Sequence, residues 1–163
     1  MDNILWAPWR SKYIKSVKSL KGCIFCSKSK SKKDKLNYVV SRSRHSFSML
    51  NIYPYNNGHL MVAPYRHLKD FSKLTEKELL DLFNLLNESQ ALLRKALKPD
   101  GYNVGINLGR AAGAGYKGHL HIHIVPRWVG DVNFMPIFTS AKVVSESLDA
   151  LYSKLKRCSN AKR

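Results

Sequence analysis

Half of the six histidines in this 163-residue chain fall in one stretch, GHLHIHIVPRW, where His119, His121 and His123 occupy every second position. Strict alternation of polar and apolar residues is typical of a half-buried β-strand, in which successive side chains point to opposite faces. Alternate Cα atoms of a strand lie roughly 6.6 Å apart, so three imidazoles in this arrangement could act on one small ligand. The pattern predicts a strand whose histidines line a shared cleft. The residues expected to face the core are Leu120, Ile122 and Ile124.

Three imidazoles on one face are compatible with two kinds of chemistry. In the first they bind a metal ion, since neutral imidazole is the commonest metal ligand in proteins. A catalytic zinc site keeps an open position for water and needs a carboxylate base, and the acid that follows closely is Asp131. In the second, one imidazole is a nucleophile and its neighbours orient it. The scarcity of acids near the histidines favours the second.

Two of the three cysteines, Cys23 and Cys26, form the motif CIFC. This spacing suits a redox pair or half of a tetrahedral zinc site. A redox pair is expected at the start of a helix in a βαβ unit, and no such pattern follows here. Half of a zinc site needs two further ligands, which the histidines can supply. Cys158 lies in a polar tail, and three cysteines do not make a disulfide framework.

The chain carries 28 basic and 11 acidic residues, a formal charge of +17, which fits an anionic partner such as a nucleotide, a polyphosphate or a nucleic acid. Much of the charge is concentrated in residues 12–35, with the run SKSKSKKDK, and in the tail KLKRCSNAKR. Blocks of like charge are usually flexible and solvated. We therefore expect a flexible lysine-rich segment, and nucleic acid is a less favoured partner than a nucleotide.

Length and hydropathy predict one soluble domain. A chain of 163 residues can bury a substantial single core. The sequence has no apolar run of about eighteen residues, the length that a membrane helix requires. Its first residues, MDNILWAPWRSKY, lack the apolar segment of a signal peptide. These features predict a cytoplasmic protein with no membrane partner.

The apolar periodicity predicts short strands at 37–41, 46–50 and 58–64, and two more at 102–109 and through the histidines. A helix is predicted from Thr75, where Thr75 and Glu78 form a capping box, to about Lys98. A second helix is predicted over 141–156. Helices segregated from an antiparallel sheet indicate an α+β fold, with about five strands, one long helix and a C-terminal helix. The apolar stripe of the long helix is expected to be Leu79, Leu82, Phe83, Leu86, Leu93 and Leu97.

The segment HLHIHIV resembles the H-x-H-x-H signature of the histidine triad (HIT) superfamily. Upstream, GHLMVAPYRHLKDF resembles the strand and turn in which that family carries two further histidines, here His59 and His67. WAPWR, CIFC, GYNVGINLGRAAGAG and HIVPRWVGDVNFMP are similar to the branch that contains diadenosine tetraphosphate phosphorylases and related hydrolases. The resemblance places a HIT domain at 37–140. An arm over 1–36 precedes it and contains the CIFC motif, which we call the knuckle, and the lysine-rich segment. A C-terminal helix and basic tail over 141–163 follow it.

This resemblance implies a nucleotidyl hydrolase or transferase that acts at an α-phosphate, in a homodimer whose protomers join their sheets. The middle histidine of the family is the nucleophile, so that role passes to His121. A nucleotide carried covalently on a histidine divides one difficult displacement into two easier ones. His123 is expected to contact the phosphate oxygens and His59 to support the cluster. The alternatives are an adenosine phosphoramidase-type hydrolase and a nucleotide-sensing or nucleic-acid-binding module with weak activity.

The resemblance also implies a set of substrate-binding residues. They comprise a ribose contact, a base-pocket residue, a phosphate contact, a loop of small residues and an aromatic residue after the triad. The loop can bring backbone N–H groups close to an anion. Many relatives carry Gln or Ser there to assist the leaving group, and this chain does not, so hydrolysis and phosphorolysis both stay open. The set is Asn51, Ile52, Asn107, Gly113, Ala114, Gly115 and Trp128, with Phe25 and Phe47 as further candidates for the base pocket and Arg127 as a further source of charge.

Several bacterial members of the family bind a structural zinc ion beside the triad. The ligands implied here are Cys23, Cys26, His67 and His119, and His45 is an alternative to His67. Four protein ligands complete a tetrahedron and leave no open position, which makes such a metal structural.

Overall fold

The structure, a computed structural model, describes residues 22–109, 111–112, 118–131 and 145–160. Within these residues, no helix is both long enough and apolar enough to cross a membrane. The helices are α1 (Ile24–Lys30), α2 (Asp34–Asn37), α3 (Glu76–Leu97) and α4 (Leu148–Asn160), with a 3-10 turn at Phe71–Lys73. The strands are β1 (Val39–Arg42), β2 (Ser46–Leu50), β3 (Leu60–Pro64), β4 (Gly101–Ile106) and β5 (Ile122–Arg127).

The five strands form one antiparallel sheet in the order β1-β2-β3-β5-β4. The register places Met61 of β3 and Gly105 of β4 on either side of His123. The histidine strand is therefore central, with a neighbour on each side, while β1 and β4 are the two edges. The sheet and the helices confirm the α+β fold expected from the sequence.

One face of the sheet is covered by α3 and α4. Thr75 and Glu78 form the predicted capping box at the start of α3. The expected apolar stripe was only partly correct, because Leu79 and Phe83 are exposed by 41% and 47%. The face of α3 that packs on the sheet is rotated relative to the predicted stripe. The buried residues of α3 are Glu78, Leu82, Leu85, Ser89 and Leu93. The core on this face includes Leu120, Ile122 and Ile124, which confirms the predicted alternation.

The opposite face is covered by the N-terminal knuckle. Phe25 of α1 is buried in a second apolar cluster against Phe47, Met49 and Met61 of β2 and β3. The sequence predicted a flexible lysine-rich segment here, and the structure contains two short helices in it, at residues 24–30 and 34–37. Arg42 bridges them, since it donates to three backbone carbonyls at the end of α1 and to the Asp34 side chain at the start of α2.

Several predicted boundaries differ from the structure, among them those of the last helix and of the histidine strand. The last helix spans Leu148–Asn160 rather than 141–156, and residues 141–144 lie outside the described part of the chain. The histidine strand begins at Ile122 rather than His119. Its first residues bond to a loop instead of a neighbouring strand, since the Leu120 N–H donates to the Leu68 carbonyl at 2.6 Å.

Gly58, in the turn before β3, packs closely against the end of α3 and against β5. Its φ is +77°, in the left-handed region that favours glycine. A Cβ at this position would lie 2.5 Å from Leu97 Cδ1 and 2.9 Å from Pro126 Cγ. Gly58 therefore sets both the turn before His59 and the packing of α3 on β5.

We expect Gly58→Ala to lower the free energy of unfolding by roughly 2–4 kcal/mol, because it adds left-handed strain to overpacking. Gly109→Ala is the matched control. Gly109 has a φ of +82° with no atom within 4 Å of a built Cβ, so only the strain of about 1–2 kcal/mol should appear. Urea denaturation measures both variants, and equal losses would show that the close approach at Gly58 carries no energetic weight.

Candidate active site and metal cluster

The three histidines of the triad lie on the face of β5 that is turned away from α3. His119, His121 and His123 are 2%, 6% and 8% exposed, and His59 of the adjacent turn is 1% exposed. Burial lowers the pKa of all three triad imidazoles, that of His119 and of His123 to about 4. The three rings are therefore neutral at physiological pH. A neutral imidazole has one N–H donor and one lone pair, and their positions decide what it can do.

The proton on His59 is placed by a backbone group. The Tyr55 N–H donates to Nδ1 of His59 at 3.0 Å, so this nitrogen carries the lone pair. In the neutral ring the proton is then on Nε2. This Nε2 lies 2.9 Å from Nδ1 of His123, to which it donates.

The same reasoning fixes the proton on His123. Because its Nδ1 accepts from His59, its proton lies on Nε2. This Nε2 is buried and has no hydrogen-bond partner among the residues that the structure describes. A buried donor without a partner costs about 1–3 kcal/mol unless a ligand or water accepts from it. The relay Tyr55–His59–His123 therefore presents an N–H donor to the site.

His121 has the opposite tautomer. Its Nδ1 lies 2.8 Å from the carbonyl oxygen of His119, an acceptor, so Nδ1 carries the proton and donates. Nε2 of His121 then carries a lone pair. The ring lies 4.8 Å from that of His123 in an edge-on arrangement, and Phe25 packs on it at 4.7 Å. A nucleophilic nitrogen and an N–H donor thus stand side by side.

Four potential metal ligands meet next to the triad. The ligand atoms of Cys23, Cys26, His67 and His119 all lie within 4.8 Å of one another. His119 Nδ1 is 3.3 Å from the Cys23 sulfur and 3.6 Å from the Cys26 sulfur, and His67 Nδ1 is 3.4 Å from the latter. Tetrahedral zinc with these ligand types requires separations of roughly 3.3–3.8 Å. His67, and not the alternative His45, completes the cluster.

Hydrogen bonds around the cluster orient its ligand atoms for binding a metal ion. Nε2 of His119 donates to the Pro64 carbonyl at 2.8 Å, which leaves Nδ1 unprotonated and pointing at the sulfurs. Metal-binding histidines typically hold their second nitrogen in this way. The Cys26 N–H donates to the Cys23 sulfur at 3.4 Å. Burial and the neighbouring Cys23 raise the pKa of the Cys26 thiol, so a cation is the group that would favour its thiolate form.

The structure describes four of the predicted substrate residues, Asn51, Ile52, Asn107 and Trp128. The Asn51 side chain lies 3.4 Å from Nδ1 of His59, and its oxygen accepts from the Tyr53 N–H. Asn107 directly follows Ile106, which pairs with Ile122 beside His121. Ile52 is 45% exposed next to Asn51, and Trp128 follows the last residue of β5. Gly113, Ala114 and Gly115 lie outside the described residues.

Asp131 is fully engaged by other groups. It accepts two hydrogen bonds from Arg127 and one each from the Asn56 side chain and the Trp128 N–H. Hydrogen bonding from Arg127 lowers the pKa of Asp131 to about 2. Such a carboxylate is a poor base, so the catalytic zinc hydrolase loses the base that the sequence offered. The charge of Arg127 is likewise compensated, which argues against a role in binding phosphate.

The sequence did not single out Tyr55. Its N–H bonds to His59, and its ring packs on His59 at 4.7 Å and on His123 at 5.7 Å. Tyr55 belongs to the segment YPYNNG between β2 and β3. A backbone N–H donor cannot be recognised from the residue type. The one available sign of this contact in the sequence was an aromatic residue four positions before a histidine.

Comparison with known proteins agrees with this arrangement. A family model for the HIT domain matches residues 32–129. The AP-4-A phosphorylase of Mycobacterium tuberculosis is 42% identical over 115 residues, which are 71% of this chain and 59% of that protein. This chain thus spans less than two thirds of the length of that relative.

Solved structures share the fold. A hypothetical histidine triad nucleotide-binding protein from Sulfolobus tokodaii aligns with a TM-score of 0.66 and 28% identity, over 86% of this chain and 95% of the other. A zinc-bound histidine triad family protein from Mycobacterium smegmatis aligns with a TM-score of 0.66 and 21% identity, over 90% and 96%. Because the family model covers more than half of the sequence and the triad converges on β5, this chain belongs to the HIT family.

Proposed function

We propose that this protein cleaves dinucleoside polyphosphates such as diadenosine tetraphosphate at an α-phosphate, through a nucleotide bound covalently to His121. One observation carries the proposal. The hydrogen bond from Nδ1 of His121 to the His119 carbonyl leaves a lone pair on Nε2, next to the N–H of His123, which has no partner among the described residues. An attacking nitrogen beside a buried donor is the pair of groups that nucleophilic displacement at phosphorus requires. The 42% identity to an AP-4-A phosphorylase supports the substrate class.

In the first step, Nε2 of His121 forms a bond to the α-phosphorus. The bond from that phosphorus to the bridging oxygen breaks, and the rest of the substrate departs with the electron pair. The Nε2–H of His123 donates to a phosphoryl oxygen as negative charge builds there, a contact worth on the order of 3 kcal/mol in comparable sites. His59 holds His123 in the required tautomer, and the Tyr55 N–H holds His59.

In the second step, an acceptor attacks the same phosphorus and the bond to Nε2 breaks, which restores the lone pair of His121. With water as acceptor the product is a nucleoside monophosphate, and with inorganic phosphate it is a nucleoside diphosphate. Ala114 and Gly115 offer no side-chain group to the leaving oxygen, so that oxygen takes its proton from elsewhere.

The remaining contacts are proposed from position. Asn107 lies beside His121 at the end of β4 and serves the phosphate, together with backbone N–H groups of Gly113, Ala114 and Gly115. Asn51, which lies beside His59, contacts the ribose. Ile52 contacts the base, and Trp128 contacts the outer part of the substrate. We propose no phosphate contact for Arg127.

Replacing His121 with alanine should lower the turnover of diadenosine tetraphosphate by at least about 1000-fold, because the atom that bonds to phosphorus is lost. Mass spectrometry under alkaline conditions, which preserve phosphorus–nitrogen bonds, should detect a nucleotide on His121 in the native chain and none in the variant. His45→Ala is the control, since His45 lies outside the cluster, and it should stay within about twofold of the native rate. Undiminished turnover in His121→Ala would refute the proposal.

The choice of acceptor is read from the same assay with and without inorganic phosphate. If phosphate is required and a nucleoside diphosphate appears, the enzyme is a phosphorylase. If phosphate changes neither rate nor product, the enzyme is a hydrolase.

We further propose that the cluster of Cys23, Cys26, His67 and His119 binds a structural zinc ion. Two sulfur and two nitrogen ligand atoms, all within 4.8 Å of one another, are a set that zinc prefers, and four protein ligands leave no position for a substrate. The zinc-bound Mycobacterium smegmatis relative adds support through its fold. Metal-binding thiols stay reduced in the cytoplasm, which is the compartment we propose.

Elemental analysis should find about one zinc ion per chain, and the double variant Cys23→Ser, Cys26→Ser should lose it, because the serine oxygens are poorer ligands. Cys158→Ser is the matched control and should retain the metal. The double variant should also unfold at a lower temperature, since bound metal stabilises the folded state. Unchanged zinc content in the double variant would contradict this assignment.

We propose a homodimer joined at the β4 edge. Among the described strands, β1 and β4 have one open side each, and β1 is flanked by α2 and α4. On β4, Asn103, Val104 and Gly105 are exposed, with Val104 at 50%. An exposed edge strand can pair with a second copy. Sedimentation at about twice the mass of 18.6 kDa is expected, and a monomer at micromolar concentration would contradict the dimer.

A further inference from the structure

The lysine-rich segment forms one wall of a groove at the β1 edge of the sheet, opposite the β4 edge and distinct from the triad. We call it the β1-edge groove. Its volume is about 760 Å³, within the range of sites that hold drug-sized or nucleotide-sized ligands. It is lined by Lys32, Lys33, Asp34, Lys35, Leu36, Tyr38 and Asp149.

The lining of the groove carries a net positive charge. Asp34 is paired with Arg42 at 2.8 Å, whereas Asp149 accepts from the neutral Tyr38 hydroxyl at 3.0 Å and so offsets one of the three lysines. By contrast, none of the three groove lysines forms an ion pair with the residues that the structure describes. All three are exposed. The groove therefore presents three free ammonium groups.

These lysines are held on a folded scaffold rather than on a free tail. Arg42 donates to the carbonyls of Lys28, Ser29 and Ser31, which closes the turn between α1 and α2. On the other side, Lys156 of α4 donates to the Val40 carbonyl of β1. A pre-organised basic surface loses less entropy on binding than a flexible run of the same charge.

The groove also presents two apolar or aromatic side chains, Leu36 and Tyr38, which we call its floor. Leu36 is 73% exposed, so most of its side chain is available to a ligand. The Tyr38 ring is fixed by its bond to Asp149 and by an edge-on contact with Tyr152 at 6.0 Å. Lysines above an apolar and aromatic floor are the combination that binds single-stranded nucleic acid, where phosphates meet the charges and a base rests on the floor.

We propose that the β1-edge groove binds single-stranded nucleic acid. The charge favours a polyanion, and the apolar floor between the lysines favours exposed bases over an acidic peptide or a closed duplex. Because the groove lies at the far edge of the sheet from β4, a dimer joined there leaves both grooves accessible. Binding at this groove is independent of the cleavage chemistry at His121.

Fluorescence anisotropy tests this with labelled oligo(U) and oligo(dT) of about 15 nucleotides, titrated at several salt concentrations. The variant Lys32→Gln, Lys33→Gln, Lys35→Gln should bind on the order of 10- to 100-fold more weakly. The dependence of log affinity on log salt should become shallower by about 2, since each lost phosphate contact contributes roughly 0.7 for a single strand.

The matched control is Lys69→Gln, Lys73→Gln, Lys77→Gln, which removes the same charge from exposed positions outside the groove. It should stay within about twofold of native affinity. Leu36→Ala, which leaves the charge unchanged, should also weaken binding, because the floor is lost. Both lysine variants should cleave diadenosine tetraphosphate at the native rate, so failure here is separable from failure at His121.

Three outcomes would overturn the proposal. Equal losses in the two lysine variants would mean that only net charge attracts the oligonucleotide. Competition by poly-glutamate as strong as that by oligo(U) would mean that the groove prefers an acidic peptide. Tighter binding of a matched duplex than of either single strand would contradict the role of the floor. Equal affinities for oligo(U) and oligo(dT) would mean that the groove contacts phosphates and bases without distinguishing RNA from DNA. A higher affinity for oligo(U) would narrow the ligand to RNA.

Discussion

Burial of neutral imidazoles on one face of β5 is the constraint on which the rest of the site depends. A buried ring cannot take its second proton cheaply, so each carries one N–H and one lone pair whose positions must be assigned. Backbone groups make the assignment. The His119 carbonyl fixes His121, the Tyr55 N–H fixes His59 and through it His123, and the Pro64 carbonyl fixes His119. Each group comes from a different part of the sheet or its turns.

The knuckle connects the metal cluster to the reacting histidines. Phe25 lies between the two cysteines in sequence, and its ring packs on His119 at 5.1 Å and on His121 at 4.7 Å. His119 belongs to both clusters, since its ring faces the cysteines and its carbonyl holds His121. Binding of a metal ion by the cluster would therefore order His119, the residue on which the tautomer of His121 depends. This explains why a structural ion would lie so close to the reaction without taking part in it.

Features carried by side-chain type were predictable from the sequence. The alternation around His121 placed the histidines and the apolar residues Leu120, Ile122 and Ile124 on opposite faces, and the capping box at Thr75 located the start of α3. The four members of the metal cluster followed from family resemblance, and the structure brings them together. These signals survive because spacing along a strand or a helix translates directly into direction in space.

Features carried by the backbone or by tertiary packing were not predictable. The lysine-rich segment contains two short helices that are bridged by a guanidinium outside it, that of Arg42, which binds backbone carbonyls of the segment. Leu79 and Phe83 fit a helical stripe, yet the surface offered by the sheet selects a face rotated away from them. The relay from Tyr55 begins at an amide that every residue but proline possesses. In each case the group that determines the local structure lies elsewhere in the sequence, or it is a backbone group that cannot be recognised from the residue type.

Long-range nitrogen–proton correlation NMR of the histidine rings, recorded near neutral pH, tests the fixed tautomers most directly. The hydrogen bonds require His121 to carry its proton on Nδ1, and His59 and His123 to carry theirs on Nε2, with all three rings neutral. Spectra that show the proton of His121 on Nε2, or a doubly protonated His123, would contradict the assignment of nucleophile and donor.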